Sequence, residues 1–189
     1  ESYTCMQKNP LSDSFAISAI GLIRDNLIEV CKNGKDKKRR LAMANASLMA
    51  GASFSNSMVG MIHAIGHALG AISRVPHGEA MTILMPYCME YNLDCLEELY
   101  AELLLPLAGP EVYSNTPKEE RAKKTIEVVK NMREELNKLT GLPLRLREKQ
   151  VNKEDFDKIA QTAINDGALI VNPKKVDIED VMMILNQAY

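Results

Sequence analysis

Gly60-Met61-Ile62-His63-Ala64-Ile65-Gly66-His67-Ala68-Leu69-Gly70, followed by Ser73-Arg74-Val75-Pro76-His77-Gly78-Glu79, is the stretch on which the reading of this chain turns. It holds all three histidines of a 189-residue sequence. Its first half is apolar enough to be a buried helix, and Gly70, Ser73 and Pro76 then supply a turn, because proline pushes the preceding Val75 out of helical geometry. His63 and His67 lie four apart, so on a helix they share a face with roughly 40° of offset and about 6 Å of rise. On one unbroken helix His77 would sit about 21 Å from His63, far beyond a shared ion. The break brings His77 back toward His63. Imidazole is the commonest protein ligand for borderline metals and the side chain best suited to moving protons near neutral pH. By spacing alone, a metal site and a pair of hydrogen-bonded core histidines both remain open. Glu79 is the nearest carboxylate along the chain, and Ala64 stands where an H-E-x-x-H protease would need its glutamate.

The pattern outside this block is helical nearly throughout. Ala16, Ile20, Ile23, Leu27 and Val30 recur at three and four residues, and Asn33-Gly34 ends that helix. A second helix is expected from about Lys37 to Ser53, the histidine helix from near Ser57, another from near Gly78 to Tyr91, and an amphipathic one from Asp94 to Leu105 that stops at Pro106. Thr116-Pro117-Lys118-Glu119 reads as a capping box opening a helix that runs to Gly141. Asn152 and Asp177 look like caps of two final helices, and Leu142 to Leu146 is the one candidate for a short extended piece. The expectation is an all-α helical bundle in a single domain over 1–189.

Composition narrows the function. Apolar residues make up 46% and charged residues 25%, with a net charge of −2, which gives no electrostatic reason to expect nucleic acid or an anionic membrane as partner. Met58 to Ile72 is the most membrane-like stretch, yet it falls short of the roughly 20 residues needed to span. No signal peptide is visible, and Cys5, Cys31, Cys88 and Cys95 show no C-x-x-C pair, so they read as reduced thiols of a cytoplasmic protein. The basic run Lys35 to Arg40 reads as a solvated helix start. No G-x-G-x-x-G or P-loop follows a strand, so the chain has no nucleotide-binding fingerprint of its own. Opening on Glu1 rather than Met suggests a piece of something longer.

At the histidine block the text resembles the iron-containing (group III) alcohol dehydrogenases. That family carries a pattern like G-x-x-H-A-x-x-H-x-L-G, then P-H-G, then L-P-x-x-M-x-Y-N. Here it stands as Gly60, His63-Ala64, His67, Leu69-Gly70, then Pro76-His77-Gly78, then Met85-Pro86 and Met89-Glu90-Tyr91-Asn92. Ala50 to Asn56 and the Ala163 to Pro173 segment add to the likeness, which covers essentially the whole chain. Ala68 stands where a proline is frequent, and Glu79 and Met81 replace an apolar residue and an asparagine; none of these is a family metal ligand.

The resemblance implies the helical C-terminal half of a two-domain enzyme, a fold shared with the dehydroquinate synthase-like α domain. It implies a divalent metal, iron first and zinc second, with NAD(P) held by an N-terminal nucleotide-binding domain. The family's ion is bound by an Asp and three His; His63 and His77 match two of these ligands. The other two stand in a D-x-x-x-H block that would end just before Glu1. His67 matches a pocket histidine beside the nicotinamide that would bind cofactor and pass the released proton, and Phe54 would line the substrate side. The implied substrate is a small alcohol or its aldehyde, and the implied assembly is a homo-oligomer. The isolated fragment is expected to be folded, inactive and metal-poor. Three alternatives stay open: a glycerol dehydrogenase-type half, a dehydroquinate synthase-like half that would need more cationic residues than Arg74, and a non-catalytic helical interaction domain.

Overall fold

A computed structural model describes all residues, Glu1–Tyr189, as eight α-helices and four short 3-10 turns with no strand. Helix α1, Pro10–Lys32, begins with Pro at its first turn and a capping box in which the Asn9 side chain accepts from the amides of Leu11 and Ser12. It ends at Asn33 as expected, and α2, Lys37–Ser57, runs back along it from an Asp36 cap. Helix α2 goes one turn beyond Ser53, where the Ser53 hydroxyl donates to the Ser12 carbonyl at 2.7 Å. Met58, at φ 75°, then breaks the chain, so α3 spans Met61–Ser73 and starts later than Ser57.

Helix α4 corrects the sequence reading most. It is one continuous helix, His77–Ala108, through Pro86 and Pro106. A proline inside a helix leaves the carbonyl four residues back without its donor. Here Arg133, from α6, reaches across and donates to the carbonyls of Thr82 and Ile83 at 3.4 and 3.0 Å. Near the other end Arg24 of α1 donates to the Pro106 carbonyl at 3.1 Å. At Pro86 the helix survives because a neighbouring cation takes up the freed carbonyl.

The rest of the chain is shorter pieces: α5, Pro110–Asn115; α6, Arg121–Thr140; α7, Phe156–Ala163; and α8, Ile178–Ala188. Thr116 does not cap α6; its hydroxyl turns back to the Val112 carbonyl, and a 3-10 turn, Lys118–Glu120, leads in. Asn152 likewise precedes a 3-10 turn without side-chain capping, whereas Asp177 forms the expected capping box with Asp180. Residues 142–145 are irregular, without extended pairing, and Leu146 opens a 3-10 turn, Leu146–Lys149.

Two apolar cores result. The larger joins Ile65 and Leu69 of α3, Ile83 and Leu84 of α4, Phe156 and Ile159 of α7, and Ile184 and Leu185 of α8. Helices α3 and α4 approach closely at Gly66, where an added Cβ would lie 1.8 Å from the Met81 methyl. The smaller core lies between the second half of α4 and α6, which run antiparallel, as the Thr125–Tyr100 and Arg133–Ile83 hydrogen bonds show. An apolar groove of about 390 Å³ opens between α1, α4 and α6, with Glu1 and His63 at one end. No helix is long and apolar enough to cross a membrane. All four cysteines are free thiols.

Candidate metal centre

Helix α3 is buried on nearly every side, and its few outward positions include His63 and His67. Its start carries no cap of its own, because Gly60 has no side chain to offer. Two distant residues supply it instead. The Asn172 side-chain oxygen accepts from the Met61 amide at 3.1 Å, and the Glu1 carboxylate accepts from the Ile62 amide at 2.6 Å. A negative group at a helix N-terminus satisfies orphan amides and meets the positive end of the macrodipole. Both acceptors crowd Gly60, where a Cβ would meet Asn172 Oδ1 at 2.9 Å and Glu1 Oε1 at 3.1 Å.

After Ser73, Arg74 adopts the left-handed conformation at φ 55° and Pro76 leads directly into α4. The reversal puts His77 on the first turn of α4, facing the exposed side of α3. The three rings converge: centroids lie 5.3 Å apart for His63–His77, 5.7 Å for His63–His67 and 5.8 Å for His67–His77. A core-histidine arrangement would have hidden these rings among apolar side chains. They sit instead at the surface end of the α3–α4 corner.

Each α3 histidine is held by a carboxylate from far along the chain. Glu1 Oε2 is hydrogen-bonded to His63 Nδ1, and Asp166 Oδ2 to His67 Nδ1 at 2.9 Å. Burial pushes the Glu1 carboxyl up, yet the His63 hydrogen bond and neighbouring positive charge outweigh it and leave it below its ordinary value. Asp166 is held low in the same way, burial being overcome by the Ala168 amide and then by His67. Both are therefore ionised acceptors near neutral pH, and each Nδ1 carries the proton. Each ring thus turns Nε2 away from its carboxylate. His77 has no ring hydrogen bond, and burial, reinforced by the neighbouring His63 and His67 rings, lowers its pKa.

This donor set fits a borderline divalent cation: two neutral imidazoles, one of them oriented by an outer carboxylate. The chain does not complete a coordination shell, since no three His, Cys, Asp or Glu side chains are grouped to enclose an ion. Further ligands must come from outside these residues.

Glu1 and Asp166 are what sequence reasoning missed. Glu79, the carboxylate nearest in sequence, is turned away and pairs with Lys149 at 2.7 Å. Phe54, expected on the substrate side, is 47% exposed on α2 and does not line the groove beside His63. Cys88 is buried in the larger core, where desolvation raises its thiol pKa well above the ordinary value, so it offers no nucleophile.

The fold and the site thus define an all-α domain with three imidazoles converging at its surface. The chain belongs to the Fe-containing alcohol dehydrogenase family, as its C-terminal domain, whose family model matches residues 1–189. It is 32% identical over 191 residues to alcohol dehydrogenase 4 of Saccharomyces cerevisiae, covering 100% of this chain and 47% of that protein. Identity to the NAD-dependent methanol dehydrogenase of Bacillus methanolicus is 32% over 190 residues, with 100% and 48% covered. The crystal structure of a 1,3-propanediol oxidoreductase superposes with a TM-score of 0.92 at 32% identity, covering 100% of this chain and 48% of that one. The chain thus spans about half the length of the relatives it matches.

Proposed function

We propose that this chain is the metal-holding half of an NAD(P)-linked alcohol dehydrogenase that interconverts a small alcohol and its aldehyde or ketone. The observation that carries the reading is the convergence of three imidazoles, none closer than 5.3 Å or farther than 5.8 Å, at the one exposed edge of an otherwise buried helix. His63 and His77 would hold the cation through neutral ring nitrogens, with the remaining ligands contributed by sequence preceding Glu1. When bound, the cation supplies Lewis acidity toward the alcohol oxygen and the nicotinamide accepts the hydride. Glu1 fixes the ring of His63 so that its Nε2 faces outward. His67, free of the metal, takes the hydroxyl proton on Nε2 and releases it to solvent. The names of the relatives, an alcohol dehydrogenase and a methanol dehydrogenase, support a small, uncharged alcohol, and Arg74 is the single cation inside the histidine block. Phe54, exposed on α2, would line the substrate side. Iron is the expected metal, from the family's name, with zinc as the alternative. The proposal extends to a cytoplasmic setting, supported by the four free thiols, and to self-association, supported by the uncovered Leu41 and Leu48 of α2.

The test is to join the chain to the nucleotide-binding half of a relative such as the 1,3-propanediol oxidoreductase and follow NAD(P)⁺ reduction with short alcohols. The expected result is activity that a chelator abolishes and ferrous or zinc ion restores. A folded, metal-loaded protein that reduces neither cofactor with any small alcohol contradicts the reading.

A further inference from the structure

His67 is 48% exposed in its side chain, and Asp166 is its one ring hydrogen-bond partner. Asp166 is not a loose surface acid. Its side chain is 23% exposed, its Oδ1 accepts from the Ala168 amide at 2.8 Å, and it caps the 3-10 turn Gly167–Val171. Its backbone amide donates to the Ala163 carbonyl at 3.0 Å. The same short segment closes on Asn172, which caps the start of α3. One segment therefore grips α3 at both places that matter, its first turn and its second histidine.

We infer that Asp166 is a positioning residue that fixes His67 in the Nδ1–H tautomer and so presents a basic Nε2 toward the site. The inference rests on the proposed role of His67 as proton carrier. A carboxylate is an acceptor only, so the 2.9 Å contact requires the proton on Nδ1, and a ring flip would place the Cδ2–H against it. When Nε2 takes the hydroxyl proton, the resulting imidazolium donates from Nδ1 to an ionised partner already in place. The low pKa of Asp166, caused first by the Ala168 amide against burial and then by His67, keeps that partner charged.

The decisive variant is Asp166→Asn. Its single side-chain oxygen retains the cap on Ala168, which turns the amide NH₂ toward His67 and forces the opposite tautomer, with the proton on Nε2. Nitrogen-15 spectra of histidine-labelled chain, recorded without metal or cofactor, should show His67 switching from Nδ1–H to Nε2–H while His63 is unchanged. In the joined enzyme kcat should fall about 100-fold with the cofactor KM nearly constant, the range of a lost general base. Adding His67→Ala to that variant should cost little more. Asp166→Ser, whose hydroxyl can cap Ala168 but cannot reach the ring, should give a tautomer mixture and an intermediate kcat. An unchanged tautomer in Asp166→Asn overturns the inference, as does a switched tautomer with undiminished kcat. If the wild-type joined enzyme oxidises no alcohol, the proposed function fails, whereas the spectra still decide whether Asp166 sets the ring.

Discussion

The first half of α4 packs into the 21-residue core shared with α3, α7 and α8, whereas its second half meets α6 through a core of six beside an open groove. The histidine centre stands on the dense half. An imidazole pair can hold one geometry only if the backbones beneath it cannot slide, and close-packed cores resist such movement. His77 stands on the first half of α4, whereas the second half carries no candidate ligand, and His63 borders the groove from α3.

Paired truncations on α4 probe that contrast most strongly. Leu84→Ala, fully buried in the larger core, should cost about 2–5 kcal/mol, since it leaves a sealed void. Leu103→Ala, 9% exposed and lining the groove, should cost about 1–2 kcal/mol, because space already open to solvent adds little cavity penalty. Chemical denaturation of the two variants measures both; equal losses would erase the distinction between the halves.

Next in size is Asn172→Ala. It strips the acceptor from the buried Met61 amide and from the Asn92 side chain, for an expected loss of about 1–3 kcal/mol. Amide hydrogen exchange should speed up at the start of α3 and stay unchanged in α6. Exchange that rises in both places alike would mean the two halves open as one unit.

The smallest effect is at the end of the larger core. The Asp177 carboxyl is held below its ordinary value first by the Asp180 amide that it caps. A folded-state pKa depressed below the unfolded one stabilises above the usual carboxylate range, near pH 4, and that contribution disappears as pH falls through it. Asp177→Asn caps without titrating. Melting curves between pH 6 and about pH 2 should therefore show the wild type losing slightly more stability than the variant. Parallel curves would remove the cap's charge from the account.

How far the sequence could be read follows from distance along the chain. Helix α1, the start of α2, the break at Ser73–Pro76 and the Asp177 cap are written in residues within a few positions of one another, and each was legible. The return of His77 to His63 was legible for the same reason, since a proline and a short turn decide it. The unbroken α4 was not, because the cation that rescues its Pro86 carbonyls is Arg133, on another helix. Glu1 and Asp166 were hidden likewise, standing 62 and 99 residues from the rings they hold.

Metal content of the three single histidine variants, measured on the joined enzyme by mass spectrometry after removal of free ion, tests the central claim most directly. The account requires His63→Ala and His77→Ala to lose most of the bound metal and His67→Ala to retain it while losing turnover. Retention by the first two, or loss from His67→Ala equal to theirs, would contradict the division of labour among the three rings.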